Sequence, residues 1–296
     1  MSARKMGTGT DFPSARSCGR WGNRCLSPFS GLRKYLATTA VSIQDAFTYR
    51  ANATVWMLVD FVPAVVMILV WIAAYKGKSE VGGYNLSQMV TYYLLTGIIS
   101  GALTSHAEFT MNWEIRDGRL TPQLARPISY PIAVMCRETG WIVAKCVVGL
   151  PVFALLIFLF RCHFLIPHLT PVGWGGSVVA LACAYVLLSE IGACLGCLSL
   201  WTVEASGVFE LWWSIGGMVS GALLPLELLP GPVRALANVM PHRWGTYFPV
   251  RVLLGKVPDA AIGQGVLIQL AWIVGLGLIL GLLWRLGTRR YEGWGG

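Results

Sequence analysis

Charged residues are scarce in this sequence. Only 12% of the 296 residues are Asp, Glu, Lys or Arg, whereas 55% are hydrophobic. A soluble globular domain usually carries about 25% charged residues. This composition therefore excludes a water-soluble protein and indicates a chain that lies mostly in a membrane.

Six stretches contain almost no charge and approach the roughly 20 residues that a helix needs to cross about 30 Å of hydrocarbon. Backbone polar groups in lipid must be satisfied within their own segment, so the stretches predict helices rather than strands. We expect an all-α integral membrane protein whose six transmembrane helices form one domain, residues 51–290, followed by a short cytoplasmic tail, residues 291–296. The stretches are residues 51–75, 81–105, 146–160, 162–189, 211–226 and 260–284.

The sequence also lacks a cysteine framework and the apolar core of a signal peptide. Its eight cysteines are scattered, and Cys194 and Cys197 fall in an apolar segment, where packing is their expected role. Residues 1–31 contain basic side chains but no apolar run of about 7–15 residues. For these residues we expect a disordered cytoplasmic tail rather than a cleavable signal peptide.

The net charge of +9 would suit nucleic-acid binding, but the distribution of the charge indicates membrane orientation instead. With a cytoplasmic N-terminus, fifteen Lys and Arg residues lie on the inner side, seven lie on the outer side, and Lys145 lies inside the third span. Inner loops of membrane proteins carry the excess of Lys and Arg. We therefore expect both termini in the cytoplasm and no nucleic-acid partner.

Residues 32–50 place apolar side chains at helical spacing just before the first span. The pattern predicts an amphipathic helix at the membrane interface, with basic residues that suit anionic headgroups. A cytoplasmic extension of the first transmembrane helix would produce the same pattern. The residues of interest are Arg33, Lys34, Leu36, Ile43 and Phe47.

Residues 225–263 combine six prolines with many apolar residues. Proline at this density breaks a continuous helix. Because non-helical backbone at membrane depth must be buried in protein or line a cavity, this outer hairpin favours short re-entrant-type helices before the last span. An ordinary ordered extracellular loop is the alternative interpretation.

The most polar loop, residues 112–138, lies between the second and third spans on the inner side. It contains a charged run with a turn at Asp117 and Gly118, followed by prolines at positions 122 and 127. Such an element can transmit movement from a soluble partner to the membrane helices. We therefore expect this loop to couple the membrane domain to a cytoplasmic protein.

At this loop the sequence resembles the ABC-2 permeases of ABC transporters, most closely a bacterial branch formerly described as uncharacterised. That branch has the pattern Ile-Arg-Asp-Gly-x-Leu-x-x-x-Leu-x-x-Pro-Ile after the second span, and here the pattern begins at Ile115 and ends at Ile128. The resemblance covers nearly the whole chain from about residue 32 onward, including the outer proline-rich hairpin.

The resemblance implies an exporter of the bacterial inner membrane that moves an amphiphilic or lipid-like substrate, whether drug, lipid, glycan or peptide. It implies that two permease chains, identical or homologous, assemble with two copies of an ABC ATPase subunit. It further implies that the N-terminal helix and the polar loop contact the ATPase. The expected contact residues in the loop are Glu114, Arg116, Asp117, Gly118, Arg119, Leu120, Arg126 and Pro127.

The chain offers no nucleotide site of its own. Its Gly-Lys-Ser, residues 77–79, lacks the glycine five residues earlier that a phosphate-binding loop needs, because Ile72 stands there. ATP and Mg would be bound by the partner chain, and we expect no cofactor or metal here. A membrane phosphotransferase would need several converging carboxylates, but after Asp117 the next acidic residues are Glu138 and Glu190. We therefore expect a transport subunit rather than an enzyme.

Five ionisable residues fall within or near the predicted spans, where charge is costly enough to indicate function by default. Asp60 and Glu108 are expected near the cytoplasmic ends of their spans, within reach of water or Arg116. Pairing with Lys145 would remove the free-energy cost of placing the Glu190 charge in the bilayer, although the sequence does not fix the distance between the two. An ion-coupled secondary transporter using these carboxylates is the second function class, although the sequence shows no internal repeat. The five are Asp60, Glu108, Lys145, Glu190 and Glu210.

Gly217 and Gly221 have the spacing that permits close contact between membrane helices. They are candidates for a dimer seam in the fifth span. Because the sequence contains 34 glycines, packing within one chain explains the same spacing.

Overall fold

The computed structural model describes residues 29–48, 50–202 and 204–291. These residues confirm the all-α prediction, since they contain no strand beyond one isolated bridge between Val81 and Tyr84. In chain order the helices are α1 (Phe29–Thr48), α2 (Arg50–Ala74), α3 (Leu86–Leu103), α4 (Ala107–Arg116), α5 (Leu120–Leu124), α6 (Tyr130–Leu159), α7 (Pro171–Cys197), α8 (Ser206–Val219), α9 (Gly231–Val239), α10 (His242–Gly245), α11 (Tyr247–Leu253) and α12 (Asp259–Thr288), with short 3-10 turns at Leu198–Leu200 and Leu226–Leu228.

Five helical segments of the described chain are long and apolar enough to cross a membrane. The shortest has 21 residues, about 31 Å at 1.5 Å per residue. Only 11% of the most apolar 18-residue stretch of α12 is buried within the chain. Its apolar side chains therefore face outward, where they can contact the hydrocarbon of the membrane. The five segments are Thr54–Ala74, Leu86–Arg116, Tyr130–Leu159, Pro171–Leu200 and Asp259–Thr288.

The fifth predicted span, residues 211–226, does not form a helix of transmembrane length. The helix at this place, α8, has 14 residues, which makes it about 21 Å long. Glycine and proline explain its early end, because Gly221 adopts a φ of +83° and Pro225 follows. Apolar composition identified the segment but not the length of its helix.

Helices α7 and α12 run parallel to each other. Ile262 near the start of α12 lies against Gly176 near the start of α7, and Leu200 after α7 lies against Gly287 near the end of α12. Two parallel neighbours can be joined only by a chain that returns from one end of the bundle to the other. The short helices α8 to α11 make that return.

Helix α3 packs antiparallel against α2. Gly101 near the end of α3 lies beside Asp60, and near its start Tyr93 accepts a hydrogen bond from the indole N–H of Trp71 at 3.0 Å. Lys145 of α6 reaches the carbonyl oxygen of Gly101 from the other side. The three helices therefore form one packed group.

Helix α1 packs along the first half of α6. The Ser42 hydroxyl donates to the carbonyl oxygen of Arg137. Gly140 permits the close approach, because a Cβ atom at this position would lie 2.6 Å from the backbone nitrogen of Ile43. The predicted N-terminal helix is therefore confirmed as a helix, and it lies alongside α6.

The buried and exposed sides of α1 differ from those that the amphipathic pattern predicted. Leu36 is 59% exposed and Phe47 is 37% exposed, and Arg33 and Lys34 are exposed as well, whereas Ile43 is half-buried. Small and polar side chains face α6 because the two backbones lie so close. The placement of this helix at the lipid interface stays a prediction.

The bounds of the terminal segments also differ. Helix α1 begins at Phe29 rather than at residue 32 and ends at Thr48. The remainder of the predicted N-terminal tail, residues 1–28, and residues 292–296 of the predicted C-terminal tail lie outside the described residues.

Two hydrophobic cores lie at opposite ends of the bundle. We call the end that contains the start of α1 and the end of α12 the near end, and the opposite end the far end. The near-end core includes Met111, Ile115, Leu120, Tyr130, Val134, Cys197 and Leu200. The far-end core includes Tyr84, Met89, Tyr92, Tyr93, Val219, Leu226, Tyr247 and Val250.

The proline-rich segment, residues 225–263, forms short helices, as its density of proline predicted. Helices α9, α10 and α11 have nine, four and seven residues, and α11 is largely buried against α7 and α3. These contacts place the segment within the helix bundle at the far end. Whether it dips into the membrane stays a prediction.

Candidate functional site

A tight turn joins α4 to α5 at the near end. Asp117 ends α4, and Gly118 has a φ of +70°, which favours glycine. The Arg119 guanidinium lies 2.9 Å from the Asp117 carboxylate, and the two side chains are 71% and 50% exposed. The turn therefore presents a charged pair to solvent.

The turn is anchored to the bundle on its inner side. Leu120 is fully buried in the near-end core. The next residue, Thr121, shares a hydrogen bond of 3.2 Å with the hydroxyl of Tyr291 just after α12. The turn is therefore in contact with both the near-end core and the end of α12.

Glu114 connects α4 to α6. Its carboxylate accepts two hydrogen bonds from the Arg137 guanidinium, at 2.6 and 2.9 Å, and one from the Tyr130 hydroxyl at 2.6 Å. The Glu114 side chain is only 14% exposed. Although the sequence predicted a contact with the ATPase, this residue lies inside the chain as a brace between two helices.

A second ion pair connects the end of α4 to the start of α8. Arg116 lies 2.9 Å from Glu204, and both side chains are exposed. Hydrogen bonds from the hydroxyl and backbone N–H of Ser206 hold the pKa of the Glu204 carboxyl below its usual value. Sequence reasoning missed Glu204, because a single acidic residue in a loop carries no local signal.

The outer face of this region combines exposed aromatic, aliphatic and basic side chains. Trp113 is 62% exposed and Leu124 is 43% exposed. Pro127, Arg119 and Arg126 are exposed on the same loop. We call Trp113, Arg119, Leu124, Arg126 and Pro127 the coupling surface.

The buried charge of Lys145 is paired within the bundle. Its ammonium group lies 3.0 Å from the Asp60 carboxylate and also donates to the carbonyl oxygen of Gly101. Pairing of Lys145 with Glu190, which the sequence suggested, is therefore wrong. Helix packing brings α2 rather than α7 to this lysine. The pair joins α2, α3 and α6.

Glu108 lies at the break between α3 and α4 and is fully buried. It accepts a hydrogen bond from the indole N–H of Trp213 at 2.8 Å and lies 3.4 Å from Nδ1 of His106. The expected contact with water or Arg116 is wrong, since Arg116 pairs with the loop before α8. Gly192 of α7 provides the space for this carboxylate.

The two remaining candidate carboxylates have different surroundings. Glu190 is 9% exposed, faces Gly277 of α12, and has one oxygen without a hydrogen-bond partner among the described residues. Glu210 is exposed on α8. The five predicted charges are therefore not brought together into one site.

The two candidate seam glycines are separated by the end of α8. Gly217 lies on α8 with open space beside it, whereas Gly221 lies beyond the helix between Tyr92 and Tyr247. The Tyr92 hydroxyl donates to the carbonyl oxygen of Gly221 at 2.6 Å. Gly221 therefore serves packing within this chain.

A cluster of basic and aromatic residues at the far end was not singled out from the sequence. Arg251 lies 3.3 Å from Glu227, and the Lys256 ammonium lies 3.9 Å from the centre of the Tyr84 ring. Burial, and then the charge of Arg251, lower the pKa of Lys256. The signal available was the alternation of cations with aromatic residues in an otherwise apolar segment.

The comparison with protein families gives a match over most of the chain. The family model described as "ABC-2 family transporter protein" matches residues 61–295. The comparison with curated proteins found no match, and the comparison with solved structures found none.

Proposed function

Because the chain belongs to the ABC-2 family of transporters, we propose that it is the membrane-spanning permease subunit of an ATP-driven exporter. The observation that carries the proposal is the coupling surface, which is exposed outward and anchored inward. Members of this family are membrane components of ABC transporters whose ATPase is a separate subunit. This chain would bind that subunit at its near end.

The coupling surface has the chemistry of a docking site for a soluble protein. An exposed tryptophan and leucine supply apolar area, and the surrounding arginines supply charge, a combination enriched in protein interfaces. Among the described residues Asp117 and Arg119 form an ion pair only with each other, so a partner can engage both without breaking a buried contact. We assign ATP and Mg binding to the partner.

The near-end contacts suggest how a push at this surface would spread. Leu120 would transmit it to the near-end core, the Glu114 brace to α6, and the Arg116 pair to α8. The break at residues 104–106 would let α4 tilt relative to α3. Such a tilt would open a path between two permease chains for an amphiphilic substrate.

The charge distribution supports the orientation. Arg33, Lys34, Arg116, Arg119 and Arg126 all lie at the near end, which suits the cytoplasmic side of a bacterial inner membrane. The parallel packing of α7 and α12 supports six crossings, the fifth of them made by the short helices between these two. An even number of crossings would place both termini on the same side, which the basic near end favours as the cytoplasmic side.

Copurification tests the proposal. The tagged chain, isolated from its native host in mild detergent, is expected to retain an ATP-hydrolysing subunit and a second permease chain. The double variant Asp117→Ala/Arg119→Ala is expected to lose the ATPase or its coupling to transport. The matched control, Lys78→Ala/Glu80→Ala, also removes one exposed acid and one exposed base, but at the far end. Equal behaviour of the two variants would refute the assignment.

The second candidate function is an ion-coupled transporter. It is favoured by Glu190, one carboxylate oxygen of which is buried without a hydrogen-bond partner among the described residues. Such a protein would purify without an ATPase and would move its substrate when an ion gradient is imposed on vesicles. Glu190→Gln would then abolish transport. Under the ATP-driven proposal the same variant leaves the dependence on ATP unchanged.

A further inference from the structure

A basic cavity opens at the far end of the bundle. Its volume is about 340 Å³. Three cations line it from three successive segments, namely Arg243 of α10, Arg251 of α11 and Lys256 of the loop before α12. Aromatic side chains complete the wall, including Trp244 and Tyr247. The cavity is therefore positively charged and partly apolar.

The positive charge of this cavity is not balanced within the described chain. Glu227 pairs with Arg251 at 3.3 Å. Among the described residues no carboxylate lies within ion-pair distance of Arg243 or Lys256, which bind the Asn238 side chain and the Gly83 carbonyl oxygen. In the part of the chain that the structure describes, these two cations therefore line the cavity without a carboxylate in direct contact.

The same region contains donors that lack acceptors. The Nε–H groups of Arg243 and Arg251 are buried and have no hydrogen-bond partner among the described residues. Buried donors are nearly always satisfied by protein, water or a bound group. Guanidinium groups match the oxygen geometry of phosphate in particular. The chemistry of the side chains that line the cavity therefore suits an oxyanion.

An apolar groove continues from the basic cavity along the outer face of α12. This second cavity of about 460 Å³ shares Gln264 and Ile268 with the first and extends to Trp272 and Gly275. From Gln264 to Gly275 the helix rises about 17 Å. This length is close to half of the roughly 30 Å of hydrocarbon, the depth of one leaflet.

We propose that the basic cavity and the groove together bind an anionic amphiphile, with its phosphate headgroup on Arg243, Arg251 and Lys256 and its acyl chain along α12 from Gln264 to Gly275. The headgroup supplies the missing counter-charge. The acyl chain of the ligand covers apolar surface of α12 that faces the far leaflet. The assignment of this ligand as the exported cargo rests on the proposed function, whereas the binding itself does not.

Native mass spectrometry of the purified chain, without any ATPase, tests the binding. The probes are phosphatidylglycerol, phosphatidylcholine, dodecyl phosphate and inorganic phosphate. We expect phosphatidylglycerol and dodecyl phosphate to bind more tightly than phosphatidylcholine and inorganic phosphate. Equal binding of the two lipids would refute the basic headgroup site. Inorganic phosphate binding as tightly as dodecyl phosphate would refute the groove.

Matched variants locate the site. Arg243→Gln/Lys256→Gln should weaken binding of dodecyl phosphate at least about tenfold, because two charged donors are lost. Lys76→Gln/Lys78→Gln removes the same charge from exposed positions at the far end and should leave the affinity unchanged. An equal loss in both double variants would refute the site.

Two further variants guard against misfolding. Arg243→Lys/Lys256→Arg keeps both charges and should restore most of the binding. Ala271→Trp fills the groove from an exposed position and should weaken dodecyl phosphate while the fold is retained. Unchanged binding by Ala271→Trp would refute the acyl-chain groove. Because no ATPase is present, failure of this test leaves the proposed function standing, and failure to copurify an ATPase leaves the binding result standing.

Discussion

Glu114 of α4 accepts both guanidinium hydrogen bonds of Arg137 of α6, at 2.6 and 2.9 Å. This pair connects the helix that leads to the exposed turn with the helix that crosses the membrane next. It therefore links the coupling surface to the rest of the bundle.

Replacing Glu114 with Ala is expected to destabilise the near end. The variant leaves a partly buried guanidinium without its acceptor, and hydrogen bonds to charged groups contribute about 1.5–3 kcal/mol each. Thermal unfolding in detergent should therefore occur at a lower temperature. The exposed pair of Arg116 and Glu204 provides the control, because Arg116→Ala should cost less than about 1 kcal/mol. A larger loss for Arg116→Ala than for Glu114→Ala would contradict the assignment of the brace.

Replacing Gly140 with Ala is expected to release α1 from α6. The added methyl group would lie 2.6 Å from the Ile43 backbone nitrogen, and a backbone atom cannot move aside as a side chain can. Hydrogen exchange of the α1 amides should therefore become faster. Gly263→Ala is the control, since position 263 of α12 has open space beside it. This variant should increase the stability of the protein by up to about 1 kcal/mol. Unchanged exchange in α1 would show that the contact is not needed.

Replacing Lys145 with Met is expected to destabilise the group formed by α2, α3 and α6. The variant leaves the Asp60 carboxylate without its cation, and removing one partner of a buried pair costs more than removing both. The double variant Asp60→Asn/Lys145→Met should therefore unfold at a higher temperature than Lys145→Met alone. A double-mutant cycle measures this coupling, and additive effects would contradict the pairing.

The sequence predicted the long apolar helices because length and composition decide whether a segment crosses a membrane. Helices α2, α3, α6, α7 and α12 each overlap one predicted apolar run. The bounds differ for two of them, since α6 begins at Tyr130, within the predicted polar loop, and α7 begins at Pro171 rather than at residue 162. The turn at Gly118 was also predictable, since Asp-Gly is a local signal. The short α8 was not, because the apolar composition of residues 211–226 obscured the helix-ending effect of Gly221 and Pro225.

The pairings of charged residues were not predictable from one sequence. Lys145 and Asp60 are 85 positions apart, so only the packing of α2 against α6 brings them together. The face of α1 was misjudged for a similar reason. Gly140, which has no side chain, lies on a different helix, yet the space it leaves lets the small and polar side of α1 face inward.

Site-specific crosslinking tests the central claim most directly. A photoreactive amino acid replaces Arg119 in one variant and Lys78 in the control, and the complex is illuminated in native membranes. We expect a crosslink from position 119 to an ABC ATPase subunit and none from position 78. No crosslink from position 119, or equal crosslinks from both positions, would contradict the coupling surface as the docking site of the ATPase.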